Sequence, residues 1–173
     1  GVNVVGKFIA EVSSNHAQDL QRCIEFIDVA SDIGCWAVKF QLFRIDELFS
    51  KEAFRAKPEL TCRRQWELPL EFLPELAEHC YRRTIKFACT PFFLDAVSEL
   101  EPYVDFYKVA SYELLWLDLI EKCAKTGKPL ILSTGMAEMG EIETAVKCAQ
   151  DAGCQSLILL HCTSAYPTPA GEA

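Results

Sequence analysis

The chain has 173 residues, half of them hydrophobic and 24% charged, which suits one globular domain and excludes a disordered chain. Its net charge of −8 argues against a nucleic-acid backbone as partner, yet a local pair of lysines can still hold a small anion. Nine cysteines without a C-x-x-C pair, no apolar run near the ~20 residues of a membrane helix, and no basic leader at Gly1 point to reduced thiols in a cytoplasmic protein.

The first strand is expected over 6–12. A helix follows over 19–33, with Asp19 as N-cap, an apolar face of Leu20, Cys23, Ile24, Ile27 and Ala30, and Gly34 as its stop. Strand two, 36–40, is apolar almost throughout, as a strand covered on both faces is. The connection over 44–66 is mixed, charged and too long for a simple turn, so it is expected to hold a lid or a short helix. A helix over 69–83 leads to strand three, 86–89, and a short helix over 94–100 leads to strand four, 106–110. His79, in the middle of the longer of these helices, is expected at the surface. Then come a helix over 116–125 ended by Gly127, strand five over 130–132, a helix over 140–152 and strand six over 156–160. Strict alternation of strand and helix predicts parallel pairing with right-handed crossovers.

Each strand ends in polar groups: Glu11 to His16, Lys39 with Gln41, Thr90, Lys108 with Ser111 and Glu113, Ser133 with Thr134, and His161 to Ser164. An open doubly wound sheet gathers its site at one switch point and carries a glycine-rich turn after strand one, where this chain has EVSSNH. Functional groups at every C-terminal strand end describe a β/α barrel instead.

Lys39 and Lys108 lie on apolar backgrounds, where an ammonium must reach water, a structural carboxylate or a bound anion. With hydroxyls at Thr90, Ser111 and Ser133, the pair reads as a phosphate or carboxylate site. Glu11 and Glu113 are candidate general acids or bases, although Glu113 also suits the first turn of a helix. His161 is either a hydrogen-bonded structural residue or a metal ligand, with His16 as a second ligand or a substrate contact. A non-catalytic barrel that binds sugar or phosphate also satisfies these residues.

The segments IAEVSSNHAQDL, AVKFQLF, TPFFLDAV, YKVASYE, GKPLILSTGMAEMGEIETAV and LLHCTSAYPTP, in this order, span nearly the whole chain. Together they resemble the N-acetylneuraminate (sialic acid) synthases and their nonulosonic acid and spore-coat polysaccharide relatives. The resemblance implies a (β/α)8 TIM barrel of which this chain carries six β/α units. It implies condensation of phosphoenolpyruvate with an open-chain acylamino sugar such as N-acetylmannosamine, releasing phosphate. A related synthase acting on another surface-polysaccharide sugar is the alternative. It further implies a divalent metal, manganese with magnesium or cobalt as alternatives, and a homodimer. By position, Glu11 and Glu113 match the family's active-site carboxylates. Lys39, Thr90, Lys108, Ser111 and Ser133 match the phosphoenolpyruvate site, and His161 matches one of two metal histidines. Asn15, His16, Gln41 and Tyr166 are secondary candidates for the sugar. Strands seven and eight, the second metal histidine and a C-terminal antifreeze-like domain are expected beyond residue 173, and this stretch alone is expected to be inactive. The family has glycine in the turn before the Asn-His pair, whereas this chain has Ser13 and Ser14.

Overall fold

The computed structural model describes residues 6–161. Six parallel strands form one sheet in the order β1-β2-β3-β4-β5-β6. They are β1 (Ile9–Ser13), β2 (Ala37–Leu42), β3 (Lys86–Pro91), β4 (Phe106–Val109), β5 (Leu130–Ser133) and β6 (Leu157–Leu160). A doubly wound sheet reverses its order at a switch point. The strictly sequential order here is that of a barrel wall, each strand pairing with the next. Among the described residues β1 and β6 are the edges.

Among the described residues seven α-helices accompany the strands: α1 (Leu20–Asp32), α2 (Ile45–Leu48), α3 (Lys51–Ala56), α4 (Leu73–Arg82), α5 (Leu94–Leu100), α6 (Leu117–Lys125) and α7 (Met139–Asp151). Asp19 caps α1 by accepting a hydrogen bond from the Arg22 amide. Gly34, with φ of 87°, leaves that helix in the left-handed conformation. The helix expected from residue 69 is divided in two: a 3-10 turn, Leu70–Phe72, precedes α4. Pro74 explains the break, because it has no N–H to offer the Leu70 carbonyl. No helix among the described residues is long and apolar enough to cross a membrane.

Alternation along the strands sorts the core into two sides. Val38, Phe40, Leu42, Phe87, Cys89, Tyr107, Val109, Leu130 and Leu132 pack with helix residues such as Ile27, Leu76, Val97 and Ile120. The opposite face carries a smaller cluster of Ala37, Ala88, Phe106 and Ile131, with Ile9 and Trp36 against it. Trp36 stacks on Phe106 with centroids 5.1 Å apart. This second cluster is the floor beneath the polar strand ends.

All eight cysteines of the described region are free thiols, and Cys23, Cys80, Cys89 and Cys123 are buried. Burial pushes the Cys23 thiol up to about 11 and those of Cys80 and Cys123 up to about 12. They behave as small apolar side chains. His79 is half-buried rather than fully exposed: its Nε2 lies 2.7 Å from Asp28 Oδ1, which joins α4 to α1.

Candidate active site

Counting by two from each floor residue toward the C-terminal strand ends gives Glu11 after Ile9, Lys39 and Gln41 after Ala37, and Thr90 after Ala88. It gives Lys108 after Phe106 and Ser133 after Ile131. A parallel strand alternates its faces with period two, so all six share the side opposite the helices. The register agrees: Glu11 is level with Lys39, Gln41 with Thr90, and Lys108 with Ile131. Both lysines therefore occupy one face and one end of the sheet.

The centre of this layer is Lys39, which is 8% exposed. Its ammonium is ion-paired with the Glu11 carboxylate and lies 3.4 Å from Thr90 Oγ1. The buried charge thus has an internal counter-ion across β1 and β2. Thr90 and Ser133 are buried, and both are polar groups placed under the same mouth. Lys108 is half-buried and electrostatically coupled to Glu113.

Glu113 ends the short 3-10 turn Ser111–Glu113 after β4, which also carries Ser111 at its start. Its Oε2 is buried and has no hydrogen-bond partner. Burial raises the Glu113 carboxyl above its ordinary value, while its own backbone N–H and the Lys108 ammonium pull the other way. A half-buried carboxyl with one oxygen unclaimed keeps its proton to higher pH than an exposed glutamate does, and the Lys108 ammonium opposes this in part.

The turn after β1 is tightly built. The ladder is irregular between Glu11 and Ser13, and Ser13 takes a φ of 54°, the conformation that glycine adopts without strain. The Ser13 amide donates to Glu11 Oε1 at 2.9 Å, and its hydroxyl donates to Gln41 Oε1 at 3.4 Å. Of these two bonds only the hydroxyl's bond to Gln41 is specific to serine in place of the expected glycine. Asn15 turns its amide back onto the Val12 carbonyl at 3.0 Å. His16 is fully buried; its Nδ1 accepts the Gln18 amide at 2.9 Å, and its Nε2 has no hydrogen-bond partner within bonding geometry. Burial holds its pKa below the ordinary histidine value, with the Trp66 backbone opposing in part. A ring that accepts at Nδ1 and stays neutral carries its proton on Nε2.

His161 follows β6 directly and is exposed. Among the described residues no three His, Cys, Asp or Glu side chains gather as a metal-ligand group. Tyr166 lies outside the described residues.

Sequence reasoning missed an aromatic layer above the polar one. Phe43 and Phe92 continue the same alternate positions, one step beyond Gln41 and Thr90, and their rings meet edge to face at 6.3 Å. That parity was a usable signal. The connection over 44–66 folds over these rings through α2, α3 and a 3-10 stretch, Pro58–Trp66. It is anchored from the turn after β1: Gln18 Nε2 donates to the carbonyls of Arg64 at 2.8 Å and Glu67 at 3.0 Å.

A sequential parallel wall, with lysines, hydroxyls and carboxylates at the C-terminal strand ends, is the layout of a β/α-barrel enzyme site. Residues 26–173 match the NeuB family, and the chain belongs to that family. It is 38% identical over 177 residues to the N,N'-diacetyllegionaminic acid synthase of Campylobacter jejuni, covering 95% of this chain and 53% of that protein. It is 35% identical over 178 residues to the pseudaminic acid synthase of Helicobacter pylori, covering 96% and 52%. The crystal structure of the N-acetylneuraminic acid synthetase of Leptospira borgpetersenii superposes with a TM-score of 0.83 at 33% identity, over 94% of this chain and 56% of that one. The chain thus spans about half the length of the curated relatives it matches. Its sheet is part of a (β/α)8 barrel of the sugar-acid synthase type.

Proposed function

We propose that this chain carries the phosphoenolpyruvate side of a synthase that condenses phosphoenolpyruvate with an open-chain N-acylamino sugar to give a nonulosonic acid and phosphate. The observation that carries the reading is the single polar layer of Glu11, Lys39, Thr90, Lys108 and Ser133 on the barrel-interior face. Two ammonium groups and two buried hydroxyls suit a ligand with a carboxylate and a phosphate. Ser111, at the mouth, adds a third hydroxyl.

The chemistry follows from these groups. The methylene carbon of phosphoenolpyruvate forms a bond to the sugar aldehyde carbon, and the aldehyde oxygen takes a proton. Glu113, whose carboxyl stays protonated to higher pH than usual because it is buried, supplies that proton. Loss of the enol π electrons leaves a cation at C2, which water attacks. Glu11, held at the mouth by Lys39, accepts the water's proton. The tetrahedral intermediate then breaks its C2–O bond: phosphate leaves with the electron pair and takes up the C2 hydroxyl proton, and C2 becomes the ketone. Lys39 and Lys108 hold both anionic ends throughout, which keeps the reacting carbons in attack geometry.

A divalent cation, manganese, magnesium or cobalt, belongs to the proposal as a Lewis acid that would polarise the aldehyde. His161 at the rim would hold it, and the described residues gather no three-ligand group, so no step above passes through it. A homodimer belongs to the same reading. The test is phosphate release from phosphoenolpyruvate against a panel of N-acylamino sugars. Release that requires both substrates supports the synthase; release from neither substrate set refutes it.

A further inference from the structure

The connection over 45–67 is closed on itself at its neck. The Ile45 amide donates to Glu67 Oε2 at 3.0 Å, and the Arg64 guanidinium donates to both Asp46 oxygens at 2.9 and 3.0 Å. Between these pins the loop buries little, since neither α3 nor the 3-10 stretch Pro58–Trp66 has a buried residue. A segment with so few buried apolar contacts owes its seat to specific polar bonds. That seat is the mouth: Leu48, Phe49 and Trp66 line one hollow with Ser14, Phe43 and Phe92, which follow β1, β2 and β3. The neck is also held from outside, by the turn after β1. Gln18 bonds the Arg64 and Glu67 carbonyls on either side of Trp66, and its own amide donates to His16 Nδ1 at 2.9 Å. His16 is fully buried, and the Trp66 backbone is near enough to act on its ring.

This turn keeps an unfavourable conformation. Ser13, Ala17 and Gln18 have φ of 54°, 50° and 54°, the left-handed region that residues other than glycine rarely enter. His16 adds a buried Nε2 with no partner in bonding geometry. Such costs persist where the surroundings over-determine a conformation. Here the surroundings are the loop neck on one side and Glu11 on the other, whose Oε1 accepts the Ser13 amide at 2.9 Å. A metal or substrate does not reach a ring that has no exposed surface and whose Nδ1 already accepts the Gln18 amide, so His16 serves neither. We propose that His16 and Gln18 are positioning residues, which fasten the neck of the 45–67 loop to the turn that orients Glu11, so that the loop's seat and the Glu11 carboxylate are set together. The effect on turnover rests on the synthase reading; the fastening of the loop does not.

Hydrogen–deuterium exchange and phosphate release, both on the natural full-length protein, test it. Gln18→Gly removes the side-chain bonds and relieves the left-handed φ, so the turn itself survives. His16→Leu keeps an apolar body but no acceptor. In each variant the amides of 51–66 should exchange about tenfold faster, while those of α4, α6 and β3 keep their wild-type rates. His16→Asn, whose Oδ1 can accept the Gln18 amide, should restore most of the protection lost in His16→Leu. Unchanged exchange over 51–66 in both variants, or no rescue by His16→Asn, would overturn the fastening. Equal acceleration in α4, α6 and β3 would mean a general structural defect and would also overturn it. In phosphate release, Gln18→Gly should lower kcat by about 10- to 100-fold through the misplaced Glu11, with the KM of phosphoenolpyruvate within about twofold. A loosened loop with unchanged kcat would refute the link to Glu11. If the wild-type protein releases no phosphate while exchange follows the expected pattern, the synthase reading fails and the fastening stands.

Discussion

Removing Glu11 should damage the fold more than removing the lysine it faces. The Lys39 side chain is 10% exposed and that of Glu11 is 40% exposed. Glu11→Gln keeps the shape and leaves a buried ammonium without its counter-charge. Stripping one partner from a fully buried pair costs about 3–5 kcal/mol, and water at the Glu11 side reduces this to about 1–2 kcal/mol. At roughly 2–4 °C per kcal/mol for a chain of this size, Tm should fall by about 2–8 °C. Lys39→Met removes the buried charge itself and retains the apolar stem, so stability should stay within about 1 kcal/mol, with Glu11 turning to water. The double variant should recover most of what Glu11→Gln loses, because the two residues are in contact and their effects do not add. Binding should go the other way. Lys39→Met should lose a charge-assisted contact of about 1.5–3 kcal/mol, on the order of 10- to 150-fold in affinity for phosphoenolpyruvate. Urea unfolding and titration calorimetry read the two quantities separately. If Lys39→Met is the less stable variant, or binds phosphoenolpyruvate as well as wild type, the internal ion pair is not the anion site.

Lys108→Met should raise the KM of phosphoenolpyruvate by a similar factor and leave the unfolding midpoint within error; an unchanged KM removes Lys108 from the site. Glu113 has a folded-state pKa raised above 4.5 by burial, so the native state binds the extra proton and stability declines as pH rises from 4.5 through the raised value. Glu113→Gln should therefore be more stable than wild type at pH 7, with the difference shrinking as pH falls through the raised value and reaching its floor below 4.5; a constant difference across that window contradicts the burial argument. In the folded protein, maleimide labelling followed by mass spectrometry should modify exposed Cys62 well before buried Cys23, Cys80, Cys89 or Cys123, whose thiols burial holds protonated. Early labelling at Cys89 or Cys123 would mean that the sheet-helix core opens readily.

The layout of the polar strand ends was legible because a parallel strand has a strict period of two. Once Lys39 and Lys108 are assigned to strands, their common face follows from counting alone. The pairing of Lys39 with Glu11 was not legible, since it depends on the register of β1 on β2 and on the irregularity between Glu11 and Ser13. The same irregularity hid how Ser13 takes a glycine-like φ, because the supporting contact comes from Gln41 on another strand. The composition of the 44–66 connection announced a covering segment, but not its anchoring by Gln18, which is a side-chain-to-backbone bond with no sequence pattern. His79 looked like a surface residue because its partner, Asp28, lies on a different helix. Phe43 and Phe92 carry no polar side-chain atom, so the run of polar strand ends gives out one step before their rings meet.

The central claim is tested most directly by following inorganic phosphate while phosphoenolpyruvate, an N-acylamino sugar and a divalent cation are supplied singly and together to the natural protein. Phosphate should appear only when phosphoenolpyruvate and the sugar are both present, in step with a new 2-keto acid, and Lys39→Met should slow it sharply at low phosphoenolpyruvate. Phosphate release that is indifferent to the sugar, or none with any acylamino sugar, would contradict the account.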